Sequence, residues 1–348
     1  MRCINKLFGV NRLILPVFNI LLSMSNHTDH KGAFVISLDY ELLWGVWDVT
    51  TKEKYGANIR GVKQVIPALL KAFENYNFKV TFATVGILFA ENKEGLKSFI
   101  PEKKPAYSNP DYNVYIKEFA TLGNNEMDDP YHFGYSLFET IRQSPHEIAT
   151  HTFSHYFCLE EGQTAGEFDA DIKAAVKIAE AINIKLDSLV FPRNQINELY
   201  LPVLANNGIK VYRGNPESWI YKPRKFSAEV PFIRLCRLLD TYFPVSGYNS
   251  FSVIKNAGLP VNVPASRFLK PYNKNLAWLE KLKLKRIMNE MTYAAKNNKI
   301  YHLWWHPHNF GVNIGENMEN LAVLLKHYQF LHNKYGFLNL TMKEAAGF

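Results

Sequence analysis

The sequence is poor in cysteine, with three in 348 residues. Cys3, Cys158 and Cys236 cannot form a complete set of disulfides, and their spacing matches no cysteine-based zinc site. This scarcity argues against a disulfide-stabilised secreted domain and favours a reducing cytoplasm. A lone cysteine beside an aromatic residue, as Cys158 is beside Phe157, is typically a small buried hydrophobic residue.

The sequence also lacks a convincing membrane-spanning run, which needs about 20 apolar residues. The stretch Leu13 to Leu22 follows three basic residues, as in a signal peptide, but no small-residue cleavage site accompanies it. We expect residues 1–30 to be an N-terminal extension, either a loose segment or the product of a misassigned start codon, since Met24 offers a second start. A weak membrane anchor or export signal is the alternative. A cytoplasmic location is therefore expected, with membrane association left open.

Basic residues outnumber acidic ones, giving a net charge of +8, but no basic stripe is interleaved with aromatic residues. No nucleic-acid-binding motif is present, so the charge favours acidic glycans, nucleotide-linked sugars or a membrane surface as partners over nucleic acid. The densest basic run contains Lys281, Lys283, Lys285 and Arg286. Its helical periodicity predicts a solvated face.

From Ala33 onward, short apolar runs alternate with longer segments of helical periodicity, a pattern typical of βα units around a parallel sheet. The predicted strands are Ala33 to Leu38, Phe78 to Thr84, Glu147 to Thr150, Ser188 to Phe191, Ile209 to Tyr212 and Ile300 to Trp305. The predicted helices are Ile59 to Tyr76, Glu167 to Ile182, Ile196 to Asn206, Asn275 to Asn297 and Glu316 to Tyr335. We therefore expect one α/β domain over residues 31–348 that closes into a barrel, with insertions near 97–135 and 218–269 on the active-site face.

Two histidines four residues apart, His151 and His155, form the most informative motif. On a helical turn this spacing puts both imidazoles on one face, where they can reach a single divalent cation. A pair of hydrogen-bonded loop histidines without a metal is the alternative. Asp39 and Glu41 lie two apart at the end of an apolar strand, so their carboxylates project to one side. One carboxylate and two imidazoles leave coordination positions open, as a catalytic metal requires.

Together with Arg193, in the run Phe191-Pro192-Arg193-Asn194-Gln195, and the late run His306-Pro307-His308-Asn309, these residues resemble the polysaccharide deacetylases of the NodB-homology type, carbohydrate esterase family 4. The resemblance covers roughly residues 33 to 310 in matching order. It implies a distorted (β/α) barrel and metal-assisted removal of the acetyl group from an N-acetylated sugar.

The same resemblance implies roles for individual residues. Glu41, His151 and His155 would hold the metal, and Asp39 would be the general base. Arg193 would orient Asp39 and keep it ionised, with a surface or structural ion pair as the alternative. The sequence departs from the common pattern because Tyr40 separates the two acids, Pro192 precedes Arg193, and three late histidines stand where one is usual.

Strand geometry narrows the choice among the late histidines. His302 would lie about 13 Å below His306 at about 3.3 Å per residue, which favours a core role for His302. His306, at the strand end, is our prediction for the general acid, and His308 is the runner-up and a candidate substrate contact. Trp44, Trp47 and Tyr156 are candidate platforms for a sugar ring, with ordinary packing as the alternative.

These observations predict a metal-dependent hydrolase of C–N non-peptide bonds, an N-deacetylase of an amino sugar in cell-surface polysaccharide biosynthesis. Zinc is the first choice of cofactor, with cobalt, nickel or manganese as alternatives. The expected substrate is an N-acetylated saccharide, nucleotide-linked or lipid-linked. A related amidohydrolase acting on a small non-sugar amide, or a catalytically silent glycan-binding protein, is the alternative function.

Overall fold

A computed structural model describes residues 31–255 and 257–348. The N-terminal extension expected over residues 1–30 lies outside the described residues. Lys31–Phe348 form one compact unit. Within the described ranges, none of the helices combines the length and the apolar character that crossing a bilayer demands.

The described chain alternates strands and helices, as the sequence predicts. The strands are β1 Ala33–Tyr40, β2 Thr81–Thr84, β3 Glu147–Thr150, β4 Ser188–Val190, β5 Val211–Arg213, β6 Val261–Asn262, β7 Arg267–Phe268, β8 Ile300–Trp305 and β9 Leu338–Asn339. The α-helices are α1 Lys52–Asn75, α2 Lys93–Lys97, α3 Val114–Lys117, α4 Tyr135–Arg142, α5 Ala165–Ala181, α6 Leu201–Asn206, α7 Pro231–Asp240, α8 Glu280–Lys296, α9 Ile314–Tyr335 and α10 Met342–Ala345.

The strands form one curled sheet in the order β6-β5-β4-β3-β2-β1-β8-β7, and β9 pairs with β1. All of these ladders are parallel. The prediction of a distorted (β/α) barrel is therefore confirmed. Parallel strands end at the same rim, so residues that follow the carboxyl ends of neighbouring strands are brought together.

One short segment, residues 261–268, bridges the two edges of the curled sheet. Its first half is β6, which pairs with β5, and its second half is β7, which pairs with β8. Between the two strands, the amide of Val263 donates to the carbonyl of Tyr212, and the amide of Ser266 donates to the carbonyl of His302. This segment lies within 218–269, so the prediction that the whole of that range is an insertion is wrong for its last part.

Alternation along β1 divides the apolar residues between two cores. Phe34, Ile36 and Leu38 pack in the large core between the sheet and its helices. Val35 points to the other side, into a small cluster inside the barrel, which comprises Val35, Ala83, Ala149, Val190, Val211, Val261, Val263, Met342 and Ala346. The last two come from the C-terminal helix α10 and its end. Small side chains fill the narrow interior, and α10 covers it on one side.

The basic residues of α8 were predicted to form a solvated face, and only some of them do. Lys281 and Lys285 are exposed, as a solvated face requires, but Lys283 and Arg286 are 1% and 5% exposed. Lys283 pairs with Glu280, and Arg286 donates to Asp240 at the end of α7. The predicted solvated face is therefore wrong for these two residues. Arg286 is buried where α7 supplies the acid Asp240, and Lys283 is buried where it donates to the carbonyl of Lys270.

Candidate active site

The predicted acidic and histidine motifs meet at the carboxyl-terminal rim of the barrel. Asp39 is the second-last residue of β1, and Glu41 follows the strand. Leu42 then adopts a left-handed backbone with φ +49°, which turns the chain away. His151 follows β3 directly, and both carboxylates and both imidazoles are at most 3% exposed.

Glu41 is surrounded by imidazoles. Its Oε2 lies 3.2 Å from His151 Nε2 and 3.3 Å from His155 Nε2. Its Oε1 lies 3.0 Å from His308 Nε2 and 3.4 Å from His306 Nε2. Ligand atoms of Glu41, His151 and His155 therefore lie close enough together to hold one cation, and so do those of Glu41, His306 and His308.

Hydrogen bonds to the far side of the ring define the state of His151. Its Nδ1 lies 2.9 Å from the carbonyl oxygen of Val190, which can only accept, so Nδ1 carries a proton. In the neutral imidazole, Nε2 then presents a lone pair to the carboxylate of Glu41. Two acceptors facing each other in a buried site are unfavourable unless a cation lies between them. The residues present therefore fit a divalent metal at Glu41, His151 and His155.

The same reasoning separates His308 from the metal ligands. Asn309 Nδ2 donates to the hydroxyl oxygen of Tyr55, whose own proton then goes to His308 Nδ1 at 2.9 Å. His308 Nε2 is thus the protonated nitrogen and donates to Glu41. His308 is 2% exposed, so the prediction that it contacts substrate is wrong: it is buried as a hydrogen-bond donor to Glu41.

Arg213, rather than Arg193, holds Asp39. Its two terminal nitrogens donate to the two carboxylate oxygens of Asp39, each at 2.7 Å, and Nη1 also donates to Ser37. Burial alone would raise the pKa of Asp39, but Arg213, with His151 and His306, lowers it below its usual value. The geometry therefore keeps this carboxylate ionised and fixes its orientation.

The predicted pairing of Arg193 with Asp39 is wrong. Arg193 pairs with Asp48 and stacks on Phe157 and Phe226, with its guanidinium carbon 4.4 and 4.9 Å from the ring centroids. Its backbone is left-handed, with φ +54°, and it directly follows Pro192. In this chain, where proline precedes arginine, the Arg193 side chain thus points toward Asp48 and not toward Asp39.

His306 lies at the mouth of the site. Its Nδ1 faces Asn309 Oδ1 at 2.9 Å, so this nitrogen carries a proton, while Nε2 lies 3.7 Å from Asp39 and 3.4 Å from Glu41. The side chain is 22% exposed, unlike the other site histidines, so Nε2 can reach a substrate. His302, by contrast, is fully buried between Ser37 and Val263, as its core assignment predicts.

The loop that carries the two metal-ligand candidates is not helical. Thr152 and His155 have positive φ angles of 61° and 58°, and the first α-helix after β3 begins only at Ala165. The expected helical turn is therefore wrong, although the two Nε2 atoms still converge. Asp171 of α5 anchors this loop by accepting the amides of Phe153 and Ser154 at 2.7 and 3.2 Å.

Two of the predicted aromatic contacts are core residues. Trp44 is fully buried and donates to the carbonyl of His132, and Tyr156 is 1% exposed with its hydroxyl on Gln163. Their assignment as substrate platforms is wrong. The turn after β1 folds Trp44 inward onto the segment before α4, and Tyr156 packs against Tyr107 and Phe168. Trp47 is half-buried and stays a candidate.

Sequence reasoning missed Arg213 and Trp304. Arg213 directly follows the predicted strand Ile209 to Tyr212, so the strand-end rule that singled out Asp39 applied to it as well. Trp304 shares a strand face with His302 and His306. It lies 4.2 Å from the Arg213 guanidinium carbon and 5.4 Å from the His306 ring, beside the open cleft that leads to the site.

Residues 59–212 match the family model described as polysaccharide deacetylase. No curated protein sequence matches the chain. The fold resembles a polysaccharide deacetylase structure from Mycobacterium smegmatis, with a TM-score of 0.59 and 13% identity over 92% of this chain and 90% of that one. A polysaccharide deacetylase structure from Pseudomonas aeruginosa PAO1 gives a TM-score of 0.53 at 11% identity, covering 90% of this chain and 89% of that one. An allantoinase structure gives a TM-score of 0.54 at 9% identity, covering 90% of this chain and 88% of that one. At these identities the solved structures bear on the fold alone, while the family match confirms the suspected resemblance and the prediction of a hydrolase of C–N non-peptide bonds.

Proposed function

We propose, with the match to the polysaccharide deacetylase family as premise, that this protein is a metal-dependent N-deacetylase of an amino sugar used in cell-surface glycan assembly. The observation that carries the proposal is the buried set of Glu41, His151 and His155, where His151 Nε2 and Glu41 Oε2 face each other at 3.2 Å. Zinc is the first choice because two imidazoles and one carboxylate suit its coordination, with cobalt, nickel and manganese as alternatives.

The chain supplies the remaining groups of an amide hydrolysis. A divalent ion, when bound, contributes Lewis-acid polarisation of the acetyl carbonyl. Asp39, held ionised by Arg213, accepts a proton from the attacking water at a carboxylate oxygen. In its imidazolium form, His306 keeps Nδ1–H on Asn309 Oδ1 and gives its second proton, on Nε2, to the leaving nitrogen, which leaves the neutral imidazole. Asp39 and Glu41 thereby divide the work, since Arg213 contacts only the former and the imidazoles of the ligand pair contact only the latter.

The substrate proposal follows the expected partner, an N-acetylated saccharide on a nucleotide or lipid carrier in the cytoplasm. The direct assay measures acetate release from a panel of N-acetylated amino sugars by protein that has been stripped with a chelator and reloaded with each metal. Cyclic ureides and imides form the second panel, because an allantoinase shares the fold. We expect turnover on the sugars only; turnover on ureides alone would replace the proposal with the amidohydrolase alternative.

Metal content provides the independent arm. His151→Ala and His155→Ala should each lose stoichiometric metal and activity, whereas His332→Ala, at the far end of α9, should lose neither. Asp39→Asn should retain metal but lose turnover. Glycan binding by both wild type and Asp39→Asn without turnover by either would favour the glycan-binding alternative. Stoichiometric metal in both ligand variants would overturn the ligand assignment.

A further inference from the structure

A large cleft opens beside the candidate active site. It has a volume of about 540 Å³ and begins at His306 and Trp304. Its far wall is built by α7 and by the segment that precedes it. This volume lies in the range of small-molecule sites, about 300 to 1,000 Å³, and exceeds what an acetyl group requires. The cleft therefore has room for a substituent attached to the sugar.

The wall of this cleft is strongly basic. Seven arginine or lysine side chains line it, but only one carboxylate does, that of Glu229. Glu229 is already engaged, because Arg237 donates to both of its oxygens at 2.9 Å. Arg193 and Arg267 also have acidic partners, in Asp48 and Glu290.

The other four cations have no carboxylate partner in the described part of the chain: Lys222, Arg224, Arg234 and Lys270. Arg224 donates to the neutral backbone carbonyls of Trp219, Ile220 and Lys222. Lys270 is half-buried in the wall, and burial lowers its pKa with no acid nearby to oppose the shift. A cluster of unpaired cations around a partly enclosed space favours an anionic ligand.

We propose that this cleft is a subsite for a phosphate or diphosphate group carried by the amino sugar. The inference rests on the proposed deacetylase function and narrows its substrate to phosphate-linked sugars. The acetamido group would then lie at Asp39 and His306, the sugar ring beside Trp304, and the phosphate between Lys270 and the arginines of α7. Guanidinium and ammonium groups are the usual protein ligands of phosphate.

The phosphate could belong to a nucleotide or to a lipid carrier. The exposed apolar residues of α7 are the reason for testing the lipid carrier. Its side away from the cleft exposes Phe232, Leu235 and Leu239, which are 63%, 51% and 43% accessible and spaced three and four residues apart. The test therefore uses four compounds that share one N-acetylhexosamine: the methyl glycoside, the 1-phosphate, a nucleoside diphosphate sugar and a short-chain prenyl diphosphate sugar. The last two distinguish the carriers.

Wild-type protein should deacetylate the phosphorylated compounds with a KM at least about tenfold below that of the methyl glycoside. Lys270→Gln and Arg234→Gln should each raise the KM for the phosphorylated compounds by about tenfold, leave kcat unchanged, and leave the methyl glycoside unaffected. Lys281→Gln, which removes an exposed cation of α8 outside the cleft, is the matched control and should behave as wild type.

A calorimetric titration with inorganic pyrophosphate separates failure of the subsite from failure of the enzyme. Binding that Lys270→Gln weakens and Lys281→Gln leaves intact, in a protein without turnover, would support the anion site and overturn the deacetylase function. Turnover with no preference for phosphate, together with no pyrophosphate binding, would overturn the subsite and leave the deacetylase function standing. Equal losses in Lys270→Gln and Lys281→Gln would likewise overturn it.

Discussion

Arg213 is the residue with the clearest individual consequence, because it alone makes the two-pronged contact with Asp39 among the described residues. Arg213→Lys keeps the charge but loses this fork, so Asp39 should lose its fixed orientation. We expect kcat/KM to fall about 10- to 100-fold, as small misplacements of a catalytic group do, with metal content unchanged. Arg193→Lys is the matched comparison and should leave kcat nearly unchanged. A larger loss of kcat in Arg193→Lys than in Arg213→Lys would restore the original assignment of Arg193.

Gly45 gives a second test at a single position. A Cβ placed there would overlap the carboxylate of Glu41, so Gly45→Ala should push that side chain out of line with the histidines. We expect metal affinity to fall about 10- to 100-fold, as for other changes next to a ligand. Gly166→Ala, where a Cβ meets nothing within 4 Å, is the control and should bind metal as wild type. Equal affinity in both variants would contradict the role of Glu41 as a ligand.

For single residues, the sequence predicts which residues belong to the site better than it predicts where their side chains point. Asp39 and Glu41 could be inferred because they lie at the end of an apolar strand, and His151 and His155 because they lie four residues apart. The direction of the Arg193 side chain could not be inferred, because a left-handed residue after a proline can point its side chain in several ways. Trp44 was misjudged for a similar reason: a turn beyond a strand can fold over the site or back into the core.

Helix α7 is joined to the barrel by a buried charge cluster. Asp240 at its end accepts from Arg267, Arg286, Tyr221 and Ser246. Asp240→Asn leaves two buried arginines short of a partner, so the free energy of unfolding should fall by about 3 to 5 kcal/mol in chemical denaturation. Asp111→Asn removes an exposed acid and should change it by less than about 1 kcal/mol. Similar values for the two variants would contradict the importance of this cluster.

The cluster also has a pH dependence with a definite sign. Burial would raise the pKa of Asp240, but Arg267, Ser246 and Tyr221 lower it below its usual value. A carboxyl with a lowered pKa stabilises the folded protein above its unfolded pKa, about 3.9, and this contribution is lost as the pH falls through the lowered value. Wild type should therefore lose more stability than Asp240→Asn as the pH is lowered below about 4.

The sequence predicted best those elements that have a clear apolar pattern, and α7, with ten residues, is not among the predicted helices. The strands at 33–40, 147–150 and 300–305 and the helices at 165–181 and 314–335 carry enough periodicity to be located within a few residues. β6 and β7 have two residues each, too few for any pattern, and tertiary contacts with β5 and β8 alone define them. In the loop that carries His151 and His155, the spacing of four predicted a helical turn that does not form. Asp171 of α5 instead anchors an irregular loop.

For the molecule as a whole, the closure of the barrel interior by α10 should contribute substantially to stability. Met342 is fully buried against the small side chains inside the barrel. Met342→Ala should lower the free energy of unfolding by about 2 to 5 kcal/mol, the usual cost of such a cavity, while kcat of the folded protein stays unchanged. Met127→Ala, at a residue 93% exposed, is the matched control and should be neutral. Equal denaturation midpoints would show that α10 contributes little.

The barrel itself could be predicted because alternating strands and helices admit few arrangements, and right-handed crossovers select among them. The distortion was expected only through the family resemblance, and no pattern in the sequence shows how residues 261–268 share their hydrogen bonds between β5 and β8. The basic cleft was also beyond the sequence: its cations come from four separate stretches, and only the fold brings them together.

The barrel interior has an apolar layer, made mainly of valine and alanine, and a charged rim, and this division has a practical consequence for engineering. Val49, Phe268 and Trp304 line the cleft and lie outside the apolar cluster in the barrel interior. A mutant library confined to Val49, Phe268 and Trp304 would sample new specificities while expression stays near that of the parent. The same number of changes among Val35, Ala149 and Val211 would be spent mostly on insoluble protein.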